Sequence, residues 1–126
     1  MAEPLVMLDP AYLRYREDFA ETLDSRTHTI EWLDSQVWSG HIRVWPAHDA
    51  CLLTSIRQFP TGAFEVHVEI AAGNKETLVN NVIKRVEAWA EEIGALFVTI
   101  ASREGWARVM KPHGYEIHQA EIRKVM

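Results

Sequence analysis

Three residues near the middle of the chain are spaced for acid–base chemistry. Glu65, His67 and Glu69 alternate with Phe64, Val66, Val68 and Ile70, the cleanest period-2 pattern in the sequence and the mark of a strand. On such a strand the three polar side chains share one face, ~6.6–6.8 Å apart per two-residue step. Taking a proton from an amine needs a carboxylate or an imidazole within reach, and this row supplies both. The other reading of the same row is a solvated sheet face, common in antiparallel sheets. Elsewhere the chemistry thins out. Cys51 is the single cysteine, so the chain forms no internal disulfide, and in Ala50-Cys51-Leu52-Leu53 it reads as a buried core thiol. The six histidines (28, 41, 48, 67, 113 and 118) include no pair at helical i, i+4 spacing, so no metal site is expected. His48-Asp49 reads as turn chemistry.

The elements that must position the row follow from changes of period. Asp9 caps and Pro10 opens a helix whose Tyr12, Leu13, Tyr15, Phe19 and Leu23 fall at 3- and 4-residue spacings. Leu5 to Leu8 before it reads as a short strand or an irregular lead-in. Thr27-His28-Thr29 caps a second, shorter helix, which Gly40 stops. Runs from His41 to Trp45, Ala50 to Phe59 and Phe64 to Ile70, joined by short turns, predict an antiparallel meander. From Glu76 to Ile93 the apolar residues Leu78, Val79, Val82, Ile83, Val86, Ala90 and Ile93 make one helical stripe, capped by Asn74 and ended at Gly94. Ala95 to Ala101 is a continuous apolar run, as expected of a strand buried on both faces. Ser102 caps a short helix through Trp106, Val109 and Met110, which Pro112-His113-Gly114 ends. Tyr115 to Val125 reads as a terminal strand. Strand, helix, strand is a crossover unit, so the predicted class is α+β, an α/β mixed sheet that is antiparallel first and parallel where the long helix crosses.

This order, with two local passages, resembles the GNAT superfamily of N-acetyltransferases. Ala88-Trp89-Ala90-Glu91-Glu92-Ile93-Gly94-Ala95 is similar to the family's passage from its third helix into its fifth strand. Trp106-Ala107-Arg108-Val109-Met110-Lys111-Pro112-His113-Gly114-Tyr115-Glu116 is similar to its fourth helix and the exit that follows. The similarity covers about residues 41–126; the N-terminal helices fit by order alone. The resemblance implies an acyl-CoA, acetyl-CoA or another, lying in a splay between two strands. Its pyrophosphate would rest on backbone N–H groups at the start of the long helix, where amides and the positive helix end attract anions. The cofactor-binding residues it implies are Ile70, Ala71, Gly73, Asn74 and Lys75, in Ile70-Ala71-Ala72-Gly73-Asn74-Lys75-Glu76. Gly73 matches the family's first glycine, but Lys75 replaces its second small residue and Ile70 its Arg or Gln. Read by itself, the stretch is a helix cap in which Gly73 turns and Asn74 caps. Met110 stands where the family often has a proton-donating Tyr, Tyr115 reads as a packing residue, and no Asn follows Asn81.

The resemblance therefore implies an acyl-CoA-dependent N-acyltransferase with an eroded cofactor loop, whose catalytic residues would be Glu69, His67 and Glu65 and whose activity is in doubt. The alternative is a catalytically inert structural part, similar to virion-associated GNAT-like proteins of tailed phages and prophages. Composition sets the frame for both. The 126 residues hold 48% hydrophobic and 25% charged side chains, enough for one domain, 1–126, with its own core. A balance of 18 acidic to 13 basic residues argues against nucleic acid, whose binding needs clustered Lys and Arg. No segment reaches the ~20 apolar residues of a membrane span, and the N-terminus lacks a signal-peptide pattern. A cytoplasmic location is expected, or the virion for a phage-encoded chain. Five tryptophans are many for one small core, and Trp32, Trp38 and Trp45 are candidate contacts for a homo-oligomer or assembly.

Overall fold

The computed structural model describes residues 7–101 and 104–126. Its first helix, α1 (Pro10–Thr22), starts where Asp9 Oδ1 accepts the Ala11 N–H at 2.8 Å. The second, α2 (Ile30–Ser39), starts where Thr29 Oγ1 accepts the Trp32 N–H, and ends at Gly40 in the left-handed region. Strands β1 (Arg43–Ala47), β2 (Ala50–Gln58) and β3 (Phe64–Gly73) form the expected meander. A long helix returns the chain to β4 (Phe97–Ile100), which runs parallel to β3. A short helix, α5 (Glu104–Met110), and a 3-10 turn (Lys111–His113) follow. The sheet order is β1-β2-β3-β4, a mixed sheet of the expected α+β class.

The sheet is covered on both faces. On one, Leu52, Val66 and Val68 pack under Leu78, Val79, Val82, Ile83, Val86 and Met110 from the long helix and α5. On the other, Cys51, Leu53 and Ile70 pack under Tyr12, Phe19 and Leu33 from α1 and α2. Asp34 fastens those two helices together. It accepts Tyr12 Oη–H at 2.6 Å and a two-pronged contact from Arg16, Nε and Nη2, at 2.9 and 2.7 Å.

Four expectations change in the structure. The long helix is not uniform: α3 (Lys75–Thr77) and α4 (Ile83–Ile93) flank a π-helical turn, Leu78–Val82, wound one residue wider than α. The last run is not a strand, since residues 115–126 pair with no part of the sheet. That leaves β4 as an edge rather than a strand buried on both faces, with Leu96 and Phe97 more than half exposed. Finally, Trp45, a candidate subunit contact, is 7% exposed and packs in the core. Its Nε1–H donates to Thr54 Oγ1 at 2.9 Å, its ring meets Trp89 edge-on, and the Arg43 guanidinium lies against both rings. Trp32 and Trp38 stay exposed at 37% and 44%. The expected cap at Ser102 and the first half of the lead-in, Leu5 and Val6, lie outside the described residues.

Candidate active site

Strand β3 carries an irregularity at the end of its polar row. Leu53 of β2 faces Ile70 and Thr54 faces Val68, so Glu69 has no partner across the pair. This is a β-bulge, a feature over-represented beside active sites. It changes the parity of the strand. Val66 and Val68 lie on the long-helix face, yet Ile70 packs on the opposite face with Cys51 and Leu53, and Ala71 takes the long-helix side. Strict alternation, which puts Ile70 with Val66 and Val68, fails at this one residue.

On the other side of β3 the ladder with β4 ends at Val68 opposite Ile100, five residues before β3 itself ends at Gly73. The strands part there. A cavity of about 300 Å³ opens in the gap, lined by Val68, Glu69, Ile70 and Ala71 from β3, by Ile100 at the last rung and Ala101 beyond it, and by Trp106 of α5. The lining is chiefly apolar, with the Glu69 carboxylate as its acidic group. Glu69 is held by Ser55, whose hydroxyl donates to Oε2 at 2.5 Å.

The row itself is not a solvated face. Glu65 and His67 are 6% and 3% exposed. They are joined through Thr99 of β4, which sits opposite His67 in the parallel register. Thr99 Oγ1–H donates to Glu65 Oε2 at 2.9 Å, and His67 Nδ1 lies 2.7 Å from Thr99 Oγ1. Arg57 comes within 3.9 Å of the same Glu65 oxygen. Burial lowers the His67 pKa, the positive charge of Arg57 adds to this, and Glu69 and Glu65 oppose it. His67 Nε2 is buried with no hydrogen-bond partner. Thus Glu65 and His67 form one network, while Glu69, on the same strand, reaches the cavity.

The cofactor loop is built differently from its expectation. Gly73 has φ +102°, and a Cβ there would lie 2.4 Å from the Asp49 carbonyl oxygen and 2.5 Å from Ala50 Cα. Its glycine is required by the β1–β2 turn, which presses against it. The Asn74 N–H donates to that same Asp49 oxygen at 2.8 Å, and the Asn74 side chain caps Thr77 N–H. The Asp49 carboxylate accepts the Thr77 hydroxyl at 3.2 Å. The chain has therefore placed its own anion at the helix start. Lys75 turns its ammonium over the Trp106 ring, 5.8 Å from its centre. Ile70 is core, and Ala71 lines the cavity. The parted strands fit the acyl end of an acyl-CoA; the helix start, with a carboxylate beside it and two of its donors spent, does not fit a pyrophosphate.

No family model matches the chain, and neither does any curated protein. Solved structures match it over nearly its whole length. An acetyltransferase from Trypanosoma brucei superposes with a TM-score of 0.66 at 14% identity, covering 92% of this chain and 91% of its own. The fold is that of the GNAT acetyltransferases. A ribosomal-protein-alanine N-acetyltransferase from Brucella melitensis matches at TM-score 0.60 and 11% identity, over 90% of this chain and 95% of that one. A predicted acetyltransferase from Clostridium acetobutylicum, solved with acetyl-CoA, matches at 0.62 and 13%, over 90% and 86%. Within this GNAT fold Glu69 is the member of the sequence-derived row that meets the parted strands. Thr99, Ser55 and Asp49 were not singled out from sequence as partners of the site. The signals available were the position of Thr99 in the apolar run and the His48-Asp49 turn, and neither says what it faces across the sheet.

Among the described residues no three His, Cys, Asp or Glu are grouped to hold a metal ion, and no helix is long and apolar enough to cross a membrane. Burial pushes the Cys51 thiol up to about 12, which suits a core residue rather than a nucleophile. Tyr115 donates to Glu87 Oε2 at 2.7 Å, and burial with that bond raises its pKa. It packs against the long-helix core and holds its proton.

Proposed function

We propose that the chain transfers an acyl group from an acyl-CoA to an amine, in the gap between β3 and β4, with a proton acceptor drawn from Glu69, His67 and Glu65. The observation that carries this reading is the coincidence of the bulge, the parted strands and the Glu69 carboxylate in one cavity. An acyl-CoA supplies an activated acyl group and a thiolate that leaves readily. The protein's own part is to exclude water with the apolar lining, to orient the acceptor, and to take a proton from its nitrogen. Holding by the helix start is weak in this reading, because Asp49 stands there, so affinity rests on the acyl end. That is the sense in which the cofactor loop is eroded. A cytoplasmic setting belongs to this reading, as does a small amine as acceptor.

The test is thiol release from acetyl-CoA with a panel of primary amines. Glu69→Gln is expected to lower kcat by ~10²-fold or more, the usual size of a general-base contribution, with little change in thermal stability. Turnover by no amine, together with no thermal shift at millimolar acetyl-CoA, overturns the reading.

A second reading keeps the scaffold as an inert part of an assembly, the virion-associated role included. It draws on the unpaired outer edge of β4 with its exposed Phe97.

A further inference from the structure

The helix start that would seat a donor's phosphates is filled by the protein itself. A glycine at positive φ lets another group come close to its backbone. At Gly73 the β1–β2 turn takes that approach, with the Asp49 carbonyl oxygen and Ala50 Cα pressed where a Cβ would stand. The first amides are engaged as well. Asn74 N–H donates to the Asp49 carbonyl at 2.8 Å, Leu78 N–H to the Asn74 carbonyl at 3.0 Å, and Thr77 N–H to Asn74 Oδ1 at 3.0 Å. Charge works in the same direction. Asp49 Oδ2 accepts the Thr77 hydroxyl, while its Oδ1 is buried with no hydrogen-bond partner, His48 Nδ1 standing 3.6 Å away. A phosphate beside it would meet a carboxylate oxygen already short of a donor. Glu76 adds a second negative charge in the first turn, and Lys75 directs its ammonium over the Trp106 ring instead. The cavity is of another character. Leu52, Val68, Ile83, Ile100 and Trp106 make apolar walls. Past Val68, β3 runs on from Glu69 to Gly73 with no strand beside it on the β4 side, so backbone groups there are open to a ligand's amides.

We propose that this site recognises its donor as an acyl-pantetheine thioester, and that the nucleotide half of CoA adds nothing to binding. The proposal rests on the acyl-transfer reading and narrows its donor. The pantetheine arm is neutral, with two amides, a hydroxyl and the thioester, and it suits an apolar gap with an open strand edge. The phosphorylated adenosine half carries all of the negative charge of CoA, and the place the fold would give it holds Asp49. The chemistry loses nothing by the omission. A C–N bond forms between the amine and the acyl carbon, and the C–S bond breaks. The proton leaves the nitrogen for the Glu69 carboxylate and ends on the departing pantetheine thiolate. No atom of the nucleotide takes part. The missing grip has a readable size, since each hydrogen bond to a charged group is worth roughly tenfold or more in affinity.

The experiment is calorimetry of the full chain with acetyl-pantetheine, acetyl-CoA and adenosine bisphosphate, beside thiol release from both thioesters with a panel of amines. Acetyl-pantetheine is expected to bind as tightly as acetyl-CoA or more tightly, and adenosine bisphosphate to give no heat. Asp49→Asn is expected to tighten acetyl-CoA and to leave acetyl-pantetheine where it was. Acetyl-CoA bound tenfold or more tightly than acetyl-pantetheine overturns the proposal, as does adenosine bisphosphate binding by itself, or neither thioester binding at all. If the two thioesters bind alike but no amine is acylated from either, the acyl-transfer reading fails and recognition of the arm stands. If amines are acylated from acetyl-CoA and not from acetyl-pantetheine, acyl transfer stands and the proposal fails.

Discussion

Burial pushes the His67 imidazole toward its neutral form, and this sets the sign of a pH response. The lowering comes first from loss of solvent and next from Arg57; Glu69 and Glu65 pull the other way and lose. A histidine in the unfolded chain takes its proton near pH ~6.5, while the folded one still refuses it. As pH falls below ~6.5 the unfolded state binds more protons, so stability decreases with falling pH. Urea denaturation between about pH 7.5 and 5.5 is expected to show this loss, and His67→Gln to flatten it. An equally steep curve in the variant would assign the effect elsewhere. At this scale the sequence reveals half of the site. Glu65, His67 and Glu69 stand out because alternation is local. Thr99 and Ser55 do not, because a hydroxyl in an apolar run gains its meaning only from the register of the neighbouring strand, and register is settled by the whole sheet.

Among the elements, the starts and stops were legible and the irregularities were not. Asp9, Thr29 and Asn74 cap where their side chains lead one to expect, and Gly40 and Gly94 end their helices in the left-handed region. Caps depend on residues two to four apart. The π-turn and the bulge at Glu69 depend on fitting the long helix and two strands to one another, and no short motif encodes that fit. The helix start shows how a legible cap can still mislead about function. Gly73 matches a phosphate-binding glycine, yet its freedom is consumed by the Asp49–Ala50 turn. Asp49→Asn removes the negative charge and retains an acceptor for Thr77. It is expected to tighten CoA binding by a few-fold to about tenfold, since two like charges are no longer held close. Isothermal calorimetry decides it. Unchanged affinity would mean that the pyrophosphate lies away from this helix.

For the whole molecule the open question is its outer edge. β4 is short, but Phe97-Val98-Thr99-Ile100 carries no charge or proline to discourage pairing with another chain. Phe97 and Phe59 meet edge-on and leave Phe97 53% exposed. The segment after Gly114 does not cover them; Arg123 reaches instead to Asp24 in the α1–α2 loop at 3.2 Å. On the assembly reading the chain is expected to run as a multimer in light scattering, and Phe97→Lys to return it to a monomer. A wild-type monomer at high concentration removes that reading. The sequence showed the apolar run and could not show its exposure, because covering it depended on a terminal strand that composition suggested and the fold does not form. The bulge at Glu69 also constrains this molecule in a way that has nothing to do with its carboxylate. It works as an odd number inserted into an even count. Remove one residue there and Ile70, Ala71 and Ala72 each trade faces, sending Ile70 toward the long helix and Ala71 toward α1. Substitution at position 69 is therefore a question of chemistry, but deletion is a question of arithmetic, and the fold should accept many residues at that place and never none.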